Sequence, residues 1–99
     1  MIKHIVFWKV KPAGDRQAHL AAVEELRKRF EYLKTVIPEI LEAQVGYNFN
    51  DGDVFNMCID SLFRDEEGLN AYIVHPEHLK LREWLNSVTY DKAIFDFVC

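Results

Sequence analysis

Cysteine, proline and glycine are all scarce: the 99 residues include two, three and four of them. Two thiols cannot build a disulfide framework, and neither Cys58 nor Cys99 has CxxC spacing or a companion metal motif. They read as free thiols of a cytoplasmic chain. No positive neighbour that would lower a thiol pKa is identifiable, so neither is a candidate nucleophile. A dominant charge is also missing: the net charge is −4, with the signs mixed. The only basic run, Arg27-Lys28-Arg29, is flanked by Glu24, Glu25 and Glu31 and reads as a solvated helix face, so no nucleic-acid partner is expected. No apolar run approaches the ~18 residues of a membrane span. Lys9 and Lys11 interrupt the N-terminal apolar stretch, which argues against a signal peptide. What is abundant is apolar: 49% of residues are hydrophobic and 13% aromatic, in a chain with room for a single domain over residues 1–99. So short a chain buries only about 60–65% of its unfolded surface when it folds alone. The apolar surplus points to a further buried surface, most simply a subunit interface.

Residues 3–11 read as a strand, being rich in β-branched and aromatic types. His4, Val6, Trp8 and Val10 point one way and Ile5 and Phe7 the other, the mark of a strand covered on both faces. Pro12-Ala13-Gly14 breaks the chain. Asp15 is the candidate N-cap of a helix to about Val36, with Leu20, Val23, Leu26, Phe30, Leu33 and Ile37 as its apolar stripe. Residues 42–50 and 54–63 form two more strands around a tight turn at Asp51-Gly52. A calcium loop does not fit there: with Gly52 sixth, its first and third ligands would be Tyr47 and Phe49. Asp65 caps a short helix through Val74, Pro76 opens another over 77–86, and a last strand runs over 89–98.

The order β-α-β-β-α(α)-β predicts an α+β fold, a ferredoxin-like βαββαβ sandwich with helices on one face of a four-stranded antiparallel sheet. Ile5 and Phe7, with Phe95 and Phe97, are then left on the other face. Bare, they would expose several hundred Å² of apolar surface. A homodimer with the two sheets facing each other is the expectation.

Two histidines, a tyrosine and a carboxylate crowd into Tyr72-Ile73-Val74-His75-Pro76-Glu77-His78. At about 100° per residue, Leu69, Tyr72 and His75 fall within roughly 120° of one another. Further on, His78, Leu81, Leu85 and Val88 share one arc, with Trp84 at its edge. Tyr72 and His78 therefore face the sheet, while His75 and Pro76 serve chiefly the break between helices. If the face of His4, Val6 and Trp8 is the helix side, His4, Tyr72 and His78 converge. A neutral imidazole near its ordinary pKa of about 6.5 can take a proton at pH 7, and a phenol can donate to a carbonyl developing negative charge. The pair could remove a proton alpha to a carbonyl. His75 and His78 are three apart, but the Pro76 break disposes against a shared metal, and no HExxH or cysteine partner exists. No metal and no cofactor is expected.

Ile2-Lys3-His4-Ile5-Val6, the Tyr72-x-x-His75-Pro76-x-His78 segment and Ile94-Phe95-Asp96-Phe97 together resemble the stress-responsive A/B barrel (Dabb) domain, over essentially the whole chain. The resemblance implies a dimer whose sheets make an α/β barrel. Most members have no assigned activity. A few plant members are polyketide cyclases that close a ring by intramolecular aldol condensation. There the histidine matching His78 acts as base, the tyrosine matching Tyr72 assists the carbonyl and the histidine matching His4 lines the pocket. Val6, Trp8, Leu81 and Ile94 would be further walls, and Trp8 would fill volume that a bulky polyketide needs.

Three readings follow. The first is a small-molecule-binding or stress-associated dimer without demonstrated chemistry, its ligand a small hydrophobic or aromatic carbonyl compound. The second is a cofactor-free lyase, cyclase or isomerase using His78 and Tyr72. The third is an accessory dimer whose histidines only pack.

Overall fold

Strand β1 (Ile2–Val10) lies inside the sheet, and its side chains alternate in burial along its whole length. Ile2, His4, Val6, Trp8 and Val10 are buried beneath the helices, while Lys3, Ile5, Phe7 and Lys9 are only half-buried on the other face. The computed structural model describes residues 1–50, 52 and 54–99. Helix α1 (Arg16–Val36) starts at the Asp15 cap, whose carboxylate accepts from the Ala18 N–H at 3.1 Å. Val23, Leu26, Phe30 and Leu33 form its buried stripe as expected, but Leu20 does not join them and is 42% exposed. Helical projection explains this. Leu20 lies roughly 100° off the centre of that arc, which passes through His19 instead. His19 is buried, and its Nε2–H donates to the Pro12 carbonyl at 2.9 Å.

Strands β2 (Glu42–Tyr47) and β3 (Met57–Phe63) are both shorter than the pattern predicts. Asparagine side chains take over where the ladder stops. Asn48 Nδ2 donates to the Phe55 carbonyl at 2.9 Å, and Asn56 Oδ1 accepts from the Val10 N–H at 2.7 Å. Of the expected turn at Asp51-Gly52, Asp51 lies outside the described residues. Helix α2 (Glu66–Val74) is capped by Asp65, helix α3 (Pro76–Val88) follows at once, and strand β4 (Thr89–Val98) closes the chain.

The sheet is antiparallel in the order β2-β3-β1-β4, so the ferredoxin-like βαββαβ topology holds. The core lies between the sheet and the helices, around Val23, Leu26, Phe30, Leu33, Ile37 and Phe63. On the other face, Phe95 is 62% and Phe97 40% exposed. That face also holds an open depression of about 550 Å³ lined by Phe7, Tyr47, Phe55 and Cys58. Cys58 and Cys99 are free, and burial pushes the Cys58 thiol pKa up. No helix among the described residues is long and apolar enough to cross a membrane.

Candidate acid-base site

His4 enters the core because it occupies an inward position of β1. The register sets it opposite Ser61 of β3 on one side and Asp96 of β4 on the other. Its Nδ1–H donates to Asp96 Oδ1 at 2.5 Å, and the Ser61 hydroxyl donates to its backbone carbonyl at 2.8 Å. The ring meets Phe63 and Tyr72 edge-on, with centroids 6.3 and 6.2 Å away.

The α2–α3 break supplies the rest. Pro76 sits in the first turn of α3, where its missing N–H costs no hydrogen bond. His75 is the N-cap, its Nδ1 accepting from the Glu77 N–H at 3.1 Å. With His75 so committed, the sharp change of direction brings His78 back over Tyr72, ring centroids 4.3 Å apart. Tyr72 is 3% exposed and also packs on Phe63 and Phe30.

The protonation states follow from these contacts. A carbonyl oxygen can only accept, so His78 Nδ1, 2.9 Å from the Ile73 carbonyl, carries its hydrogen. In the neutral ring, Nε2 therefore keeps its lone pair. Burial holds the His78 pKa below its ordinary value, and the positive charge that His4, Arg82 and Lys92 can carry pushes the same way. The hydrogen bond to Ile73 opposes the shift only in part. Burial alone pushes the Tyr72 phenol far above the ordinary tyrosine range. At neutral pH the site holds a neutral imidazole, able to accept a proton, against an un-ionised phenol, able to donate a hydrogen bond. Among the described residues the Tyr72 hydroxyl has no hydrogen-bond partner.

Tyr72, His78 and His4 are thus brought together, the two ring pairs meeting through Tyr72. Val6, Trp8 and Leu81 are buried in the surrounding core. Ile94 pairs with Val6 but lies on the edge strand and is 53% exposed. Trp84 is half-buried at the margin, with the Arg29 guanidinium 4.6 Å from its ring. Sequence reasoning passed over Asp96, the partner of His4, and the Ile73 carbonyl that fixes the His78 tautomer. Strand register alone could have pointed to Asp96, and nothing local to residue 96 does. Among the described residues no group of three or more His, Cys, Asp or Glu side chains is placed to hold a metal ion.

An antiparallel ferredoxin-like sheet with a buried imidazole–phenol pair on its helical face defines the class of protein: an α+β sandwich of the A/B barrel kind. Within that class the chain belongs to the stress responsive A/B barrel domain family, whose family model matches residues 2–99. No curated protein matches it. Among solved structures it resembles a dimeric protein of unknown function and ferredoxin-like fold from Bacteroides fragilis. The identity is 26% and the TM-score 0.86, over 99% of this chain and 95% of that one. A hydroxynitrile lyase from Passiflora edulis shares the fold at 16% identity and a TM-score of 0.80, over 99% of this chain and 92% of the other. A Dabb family protein from Mesorhizobium loti does so at 15% identity and a TM-score of 0.77, over 99% and 95%.

Proposed function

We propose that this protein binds a small carbonyl compound at the His4–Tyr72–His78 cluster, between sheet and helices, and moves a proton on it. His78 Nε2 removes a proton alpha to the carbonyl and the C–H electron pair becomes the enolate. The Tyr72 hydroxyl donates to the enolate oxygen, and return of the proton to another carbon or to the oxygen completes an isomerase-type step. One observation carries this reading: the unprotonated Nε2 belongs to a ring tilted against the Tyr72 phenol at a centroid distance of 4.3 Å, and among the described residues that hydroxyl has no hydrogen-bond partner. A donor and an acceptor that no protein group uses, side by side, are what a ligand would engage.

A thermal-shift screen of small aromatic ketones and β-dicarbonyl compounds tests it. A binder raises the melting temperature by mass action. The expected result is a shift that shrinks in both Tyr72→Phe and His78→Gln. A binder that stabilises all three proteins equally would rule the site out.

We further propose that two copies pair through the open sheet face as a homodimer. The exposed Phe95 and Phe97 beside half-buried Ile5 and Phe7 support this, as does the dimeric state of the Bacteroides fragilis protein. Burying four such side chains is worth roughly 1.5–3 kcal/mol each. Light scattering that finds only an 11.7 kDa particle at micromolar concentration would refute it.

A further inference from the structure

The margin of the cluster carries charge that its interior lacks. Arg82 follows His78 by one turn of α3, four residues on, so the two side chains are neighbours on the helix surface. Lys92 stands opposite Trp8 in the β1–β4 register, and Ile94 and Asp96 stand opposite Val6 and His4. Directly opposed residues share a face, so Lys92, Ile94 and Asp96 all lie on the helical side of the edge strand. Lys92 is therefore on the same side of the sheet as His78 and Arg82. Both cations are exposed, and among the described residues neither is in an ion pair.

The nearby carboxylates are engaged elsewhere or face away. Glu77 accepts from Lys80 at 3.1 Å. Asp96 is bound to His4. Asp91 stands opposite Lys9 on the other face of the sheet. Glu83 is exposed one position beyond Arg82, which by helical projection turns it about 100° away. Two unpaired cations thus border a proton-transfer pair in a chain whose net charge is −4. Arg82 and Lys92 also act electrostatically on His78.

Resting on the proposed function above, we infer that the compound bound at His78 and Tyr72 is an anion, a keto acid whose carboxylate is held by Arg82 and Lys92 while its ketone faces Tyr72. The two charges do two jobs. They select an acid over its neutral ester, and they leave the apolar interior to the hydrocarbon part. The same positive margin favours an enolate over its ketone. Both effects are screened by salt, because the cations are in solvent.

Phenylpyruvate and its methyl ester make the test, with dissociation constants read from the quenching of Trp8 and Trp84 fluorescence. At low salt the acid is expected to bind about five- to tenfold more tightly than the ester, as two exposed charge contacts allow. This preference should shrink toward unity in half-molar salt and in the double variant Arg82→Gln/Lys92→Gln. Lys28→Gln, an exposed cation on α1, should leave it intact. Equal binding of acid and ester, or a preference that survives the double variant, overturns the inference. If both compounds bind equally and both weaken in Tyr72→Phe, the site stands and only its anion selectivity falls. If neither binds, the site assignment falls and takes this inference with it.

Discussion

At the scale of single residues, Tyr72 has a hydroxyl that no hydrogen bond among the described residues uses. Its loss removes no structural hydrogen bond, so Tyr72→Phe is expected to leave stability unchanged within about 1 kcal/mol. Urea denaturation checks this, and a loss of several kcal/mol would mean that the hydroxyl is structural. His78 has a pH signature. Its folded pKa lies below the ordinary 6.5, so as the pH falls past that value the unfolded chain takes up the proton first. Stability is complete above about pH 6.5 and declines below it, until the folded ring also titrates. The slope of unfolding free energy against pH just below 6.5 should therefore be shallower in His78→Gln than in the native chain. An unchanged slope would mean that His78 meets no desolvation on folding.

Among the elements, the α2–α3 break decides which histidine does what. His75 and His78 look alike in the sequence, yet one caps a helix and the other packs its tilted ring against Tyr72. His75→Ala removes the acceptor for the Glu77 N–H and should cost about 1 kcal/mol, while His75→Asn, which keeps an acceptor, should recover most of that. Neither should alter ligand binding. A binding defect in His75→Asn at full stability would draw His75 into the site. This division was legible beforehand because Pro76 and helical periodicity are local facts. The error at Leu20 was one of phase: the apolar spacing was real, but His19 and not Leu20 sits at the centre of the arc. The strands expected over 42–50 and 54–63 stop at Tyr47 and start at Met57, and asparagine side chains take up backbone hydrogen bonds beside those ends.

In the whole molecule, β4 carries part of both the proposed site and the proposed dimer face. One side of it carries Asp96 against His4, and the other presents Phe95 and Phe97 to solvent. Placing a charge there should disrupt pairing and leave the protomer fold in place, since Phe95 contributes nothing to the core beneath the helices. Phe95→Asp is expected to weaken the dimer at least tenfold by analytical ultracentrifugation, with helical circular dichroism unchanged. Undiminished association would move the interface off this face.

By itself the sequence determined the element order, the fold, the open apolar face and the inward direction of Tyr72 and His78, and it placed His4 on one face with Val6 and Trp8. All of these follow from local periodicity, caps and breaks, which act within a few residues. Tertiary structure alone decided which partners those side chains meet. Asp96 reaches His4 across 92 positions, and Lys92 comes to the helical side near His78 only through the β1–β4 register. The His78 tautomer is set by the Ile73 carbonyl, five residues back across the helix break. Register and packing are cooperative properties of the whole sheet, so no single stretch of the chain records them.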